Sequence, residues 1–224
     1  MNRFFNIWFV VIVLLTLPVA LAVGLNQDFH ILGYRIPGEE FEYKHIYFGV
    51  SAGLVFLLGA LKASKKWMGL HIVRQLQRFQ FSTRISNTRM KRVLLYNTIE
   101  IIFLSLFGAL FYSLATDAQY VGLVFFILAL EHFVNTLLGV NGKMYRVGMT
   151  KKAIIRVDRE VTLIYFNGLQ KISQHQSTLY FEYTNDLVLH MPLDVIPETE
   201  KAHFYSVLKS HVDPNKVFYT GFDR

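Results

Sequence analysis

Four runs of apolar residues, at 4–23, 46–61, 93–116 and 118–140, are long enough to cross a lipid bilayer, and no later stretch is. A spanning helix needs about 20 mostly apolar residues for a hydrocarbon core about 30 Å thick. Inside that core each backbone amide must bond within its own helix or barrel. The sequence therefore predicts four transmembrane helices and a soluble tail. The second run is the shortest, and Tyr47 and Phe48 at its start suit the interface. Composition agrees, with 53% hydrophobic and only 17% charged residues among 224.

Met1-Asn2-Arg3, the first apolar run and the small residues around Ala20 and Ala22 have the outline of a secretory signal. The run, about 20 residues, exceeds the usual signal core of about 7 to 15, so an uncleaved anchor is expected. The chain has no cysteine, which excludes disulfides, thiolate metal sites and a cysteine nucleophile.

Charge predicts the orientation. Nine cations, Lys62, Lys65, Lys66, Arg74, Arg78, Arg84, Arg89, Lys91 and Arg92, fall between the second and third runs with no acid among them. Asp28, Glu39, Glu40 and Glu42 instead dominate the loop from Asn26 to His45, against Arg35 and Lys44. The positive-inside rule then puts the connector, both termini and the tail in the cytoplasm, the expected setting being a bacterial inner membrane. Within 63–92, Met68, Ile72, Leu76 and Phe79 recur at helical spacing, which predicts a basic amphipathic helix on the membrane surface. Arg74, Arg78, Arg84, Arg89, Lys91 and Arg92 are its candidate contacts to anionic lipid, each worth about 1 kcal/mol. The same cations are equally required by topology alone. A nucleic-acid role is not expected, because no recognition motif accompanies them.

Thr116-Asp117 leaves so short a turn that the third and fourth runs must form an antiparallel hairpin. Glu100 and Asn135 then fall at similar depth, with Glu131 one turn away on the face of Asn135. These three side chains are expected to meet, and His132 to point about 100° away. Carboxylates within a bilayer are functional candidates. They admit two readings, a proton or ion path, or interhelical glue in which Glu pairs with His132. Glu100 also lies near enough to the basic end of its helix to reach toward Arg92. No metal-ligand spacing or phosphate-binding glycine loop appears, and no metal or cofactor is expected.

After Val140 the apolar period changes from helical to alternating. Strands are predicted at Met144–Met149, Ala153–Val157, Val161–Phe166, Leu169–Ser173, Thr178–Tyr183 and Leu187–Met191, separated by Asp158-Arg159-Glu160, Asn167-Gly168, His175-Gln176 and Thr184-Asn185-Asp186. A helix follows Pro197. From Lys143 onward 11 cations face 9 acids, too mild an excess to drive lipid binding by charge alone. The terminal Phe218 to Phe222 segment extends beyond the helix and is available to dock back or to meet a partner.

The order of Gly148-Met149-Thr150, Ala153-Ile154-Ile155, Gly168-Leu169-Gln170-Lys171-Ile172, the hairpin from Tyr180 to Met191, and Pro192 through Pro197 into a closing helix resembles a bacterial pleckstrin-homology-like domain. The resemblance covers residues 143 to 212. It implies a bent antiparallel sheet or partial barrel plugged by the C-terminal helix, in the setting of small bacterial membrane proteins. The fold class expected is thus a membrane α-helical domain, 1–142, with a cytoplasmic α+β domain, 143–224. The function expected is a non-enzymatic, membrane-anchored interaction or scaffold module that self-associates or serves a protein partner. The alternative is a small proton- or ion-coupled transporter using Glu100 and Glu131.

Overall fold

The computed structural model describes residues 2–25, 43–212 and 217–221, so the acidic loop read between the first two spans lies almost wholly outside it, as does Phe222. Two compact units emerge, one of Met1–Lys65 with Asn97–Asn135, the other of Lys66–Tyr96 with Thr136–Arg224.

Four helices supply the first unit: α1 (Asn2–Val23), α2 (Lys44–Arg74), α3 (Asn87–Leu114) and α4 (Gln119–Asn141). All four are long and apolar enough to cross a membrane. Lipid is as apolar as leucine, so such helices associate through close packing rather than hydrophobic exclusion. Phe125 of α4 shows how. Its ring stacks on Phe111 at 5.6 Å and takes Phe9 edge-on at 5.4 Å. Gly122 lets the α3 and α4 backbones touch, since a Cβ there would stand 2.8 Å from the Gly108 carbonyl oxygen and the Tyr112 nitrogen. The predicted hairpin forms through a single 3₁₀ turn, Thr116–Ala118.

Eight strands and one helix build most of the second unit. They are β1 (Phe81–Arg84), β2 (Arg146–Met149), β3 (Ala153–Val157), β4 (Val161–Tyr165), β5 (Leu169–His175), β6 (Thr178–Tyr183), β7 (Val188–Pro192), α5 (Glu198–His211) and β8 (Phe218–Thr220). The strands make two sheets, ordered β1-β2-β3-β4 and β7-β6-β5-β8. Every pair is antiparallel except β5 with β8. Six strands and α5 lie close to their predicted bounds, and neither sheet closes into a barrel. Turn chemistry explains the register. Thr150 Oγ1 accepts from the Ala153 amide at 3.2 Å between β2 and β3, and Gly168 supplies φ +78° before β5. Phe81, Met149, Ile154, Ile172, Phe181 and Phe204 are buried in one core shared by the sheets and α5.

The connector departs from expectation. It is not one amphipathic surface helix: α2 continues to Arg74, a 3₁₀ turn spans Leu76–Arg78, and β1 and the start of α3 complete the stretch. Ile72 and Phe79 turn toward the sheet core, whereas Met68 and Leu76 are exposed. The reason is β2. Phe81 pairs with Met149 and Arg84 with Arg146, so a ladder four residues long replaces a helical turn. Phe79 fits over Gly148, where a Cβ would lie 2.3 Å from its ring.

Candidate functional site

In the helical unit the polar residues gather around Glu100 on α3. Lys62 Nζ of α2 donates to Glu100 Oε1, and His132 Nε2 of α4 stands 3.6 Å from Glu100 Oε2. Asn97 lies one turn before Glu100 and Asn135 one turn after His132; both are buried. His132 thus occupies the position expected for Glu131. The buried stripe of α4 runs Val121, Phe125, Leu128, His132, Asn135, and Glu131 sits half-exposed beside it. Spacings of three and four define that stripe, so His132 must share the face of Phe125 and Leu128. Three helices meet here, and the hairpin alone could not specify the third. Lys62, counted in the sequence as a topology cation, is the partner that Glu100 takes, rather than Arg92.

Height along the helices decides what this cluster can do. Lys44 Nζ at the start of α2 pairs with Asp117 of the α3–α4 turn at 2.8 Å. From that pair to Lys62–Glu100 is about 18 residues on each helix, or about 26 Å at 1.5 Å per residue. A hydrocarbon core is about 30 Å thick. The two pairs thus stand about one hydrocarbon thickness apart along the helices. At the second, the Glu100 carboxylate is neutralised by the Lys62 ammonium. The arrangement suits a clamp of α2 against α3 and α4.

In the second unit the six cations proposed for lipid divide. Arg89 donates from Nε and Nη2 to Asp158 Oδ2 at 3.1 and 2.8 Å, and Arg92 reaches Asp194 Oδ2 at 2.9 Å. The Asp158 carboxylate is only 1% exposed, and Arg156 Nε lies 3.7 Å from its other oxygen. A carboxylate so buried requires a counter-charge, which is why Arg89 turns inward. Arg74, Arg78, Arg84 and Lys91 remain exposed. Ser86 fastens the same region, its Oγ donating to the Asp194 carbonyl and accepting from the Arg89 amide at 3.1 Å.

The outer face of the second sheet is open. Register aligns Phe218, Lys171, Glu182 and Val188 across its four strands, with Tyr180 and His190 in the next row. Phe218 is 75% exposed and Val188 51%, while Lys171 and Glu182 pair at 3.4 Å between them. Tyr219, by contrast, packs inward and fixes β8 on β5. Among the described residues no group of three histidines or acids could hold a metal ion. No protein-family model matches the chain, and neither the curated proteins nor the solved structures include a match to it.

Proposed function

We propose that this protein is a membrane-anchored interaction module whose α+β unit, of pleckstrin-homology-like type, receives a protein partner or a second copy at the surface of a bacterial inner membrane. Both termini are cytoplasmic in this reading, following the cations of the connector. The observation that carries it is the uncovered row Phe218, Lys171, Glu182, Val188, which mixes exposed apolar groups with a charge pair as interface surfaces do. Two sheets followed by α5 are compatible with the pleckstrin-homology-like type. Anchoring confines the search for a partner to the membrane surface and raises its effective concentration.

The test is a double substitution, Phe218→Asp with Val188→Asp. Full-length wild type and variant are purified in mild detergent and compared by light scattering and by cross-linked partner profiles. Loss of a partner or of self-association in a folded variant is the expected result. Identical mass and identical cross-links would sink the reading.

A second reading, a proton- or ion-coupled unit, draws on Glu100 and Glu131. The clamp geometry speaks against it, since Lys62 already engages Glu100. Glu100→Gln and Glu131→Gln in reconstituted vesicles separate the two: a carrier loses flux, whereas a clamp leaves no proton flux to lose.

A further inference from the structure

Three large apolar side chains are exposed on the described strands, Tyr165, Val188 and Phe218, and two of them end one row on the outer face of the second sheet. Across β8, β5, β6 and β7 that row reads apolar, positive, negative, apolar, as Phe218, Lys171, Glu182 and Val188. Taken from the opposite edge it reads apolar, negative, positive, apolar. The row is therefore its own complement after a half-turn about an axis that runs parallel to the strands between β5 and β6. A second copy laid on the first in this way sets Phe218 on Val188 and Lys171 on Glu182, each twice. An axis along the row would instead set Lys171 on Lys171 and Glu182 on Glu182, so charge selects between the two. The next row, Thr220, Ser173, Tyr180 and His190, carries no acid, lysine or arginine to oppose the stack.

We infer that the occupant of this face is a second copy of the chain, bound as a twofold-symmetric dimer in which the two outer sheet faces stack. This rests on the reading of the row as an interface and names its partner. A closed twofold dimer uses the same patch on both copies, which must be self-complementary, and the row meets that requirement. In the stack each Lys171 lies between its own Glu182 and that of the other copy, so four alternating charges stand at the centre with an apolar contact on either flank. Complementary charge of this kind fixes partner and register more than strength. A face four strands wide and five residues long measures about 19 by 17 Å, or about 300 Å² in plan, at about 4.8 Å between strands and about 3.4 Å per residue. Stable interfaces bury about 800 Å² on each side. The dimer therefore belongs to copies confined in one bilayer, where effective concentration makes up for area.

The chain has no cysteine, so one introduced thiol reports one contact. Sheets stacked about 10 Å apart hold Ser173, beside the axis, about 11 Å from its counterpart between Cα atoms, within reach of a short bismaleimide. Full-length Ser173→Cys in proteoliposomes is expected to cross-link to a dimer, and Ser210→Cys, exposed on α5, is not. In the Ser173→Cys background, Lys171→Glu or Glu182→Lys alone sets like charges across the axis and is expected to lower the dimer yield about tenfold, equivalent to about 1.4 kcal/mol. Co-reconstituting those two variants under different tags is expected to restore the yield as heterodimer, because two acids then face two lysines. A mixture that yields no more dimer than either variant alone, or a dimer from Ser210→Cys as abundant as from Ser173→Cys, overturns the symmetric stack. If Ser173→Cys gives no dimer while Phe218→Asp with Val188→Asp still removes a cross-linked protein of another kind, the second copy is overturned and the interface reading stands. If neither substitution set changes any cross-link, both fall.

Discussion

Asp158 offers the sharpest test of how the sheet unit is held together. It follows β3, its carboxylate is 1% exposed, and it accepts from Arg89, from the Glu160 amide at 3.1 Å, and faces Arg156 at 3.7 Å. Asp158→Asn keeps the shape and an acceptor for Glu160 but removes the charge between two arginines. Breaking one side of a buried pair costs about 3–5 kcal/mol. Arg89 is 23% exposed and can turn partly to water, so about 2–3 kcal/mol is the better figure here. For a protein of this size, each kcal/mol moves the unfolding midpoint by about 2–4 °C, so a fall of about 5–10 °C is expected. Circular dichroism on detergent-solubilised protein reads it directly. Arg89→Met completes a double-mutant cycle, and the coupling between the two sites should be about 1–2 kcal/mol. If the single changes each lower the midpoint by under about 2 °C, or if they add without coupling, the pair does not hold α3 to the β3–β4 turn as argued.

Three further outcomes follow from the packing and charges. Gly122→Ala should destabilise the helical unit, since its Cβ meets backbone at 2.8 Å, while Gly49→Ala and Gly53→Ala meet nothing within 4 Å and should leave the detergent-unfolding midpoint unchanged. Lys62→Met should lower that midpoint and Lys62→Arg should largely restore it, because Glu100 then regains a cation; equal losses in both would remove the clamp. Burial pushes the hydroxyls of Tyr183, Tyr205 and Tyr219 above their ordinary value of 10.0, with Glu198 adding to the shift at Tyr205. A raised folded-state value means that their contribution is intact below about pH 10 and is lost as pH climbs through the raised values. Stability measured up the alkaline range should fall there, and Tyr205→Phe with Tyr219→Phe should delay the fall.

The spans, six strands and α5 are legible in the sequence because each carries a local signal: length and apolarity for the helices, alternation and turn residues for the strands. β1 is not. Phe81-Ser82-Thr83-Arg84 sits among cations with too few residues to show an alternating period, and its partner at 146–149 makes it a strand. Distant pairing of this kind leaves little trace in a short window. The polar cluster was half legible. Glu100 and Asn135 stand at matching depth as the hairpin requires, but the stripe of Phe125 and Leu128, rather than Glu131, sets the buried face and turns His132 inward. The pairs of Arg89 with Asp158 and Arg92 with Asp194 leave no trace in the sequence, because the partners are distant in the chain.

The β1–β2 ladder also has a consequence for how the protein is made. β1 is synthesised before α3 and α4, and β2 only after them. Strands can pair only on one side of a membrane, so the chain between them must cross an even number of times. If α3 or α4 failed to enter the bilayer, β1 and β2 would face opposite compartments and the first sheet would lack its edge. Completion of that sheet thus reports that α3 and α4 have crossed together or not at all. Until β2 is made, β1 waits as a short unpaired strand, its backbone donors and acceptors open.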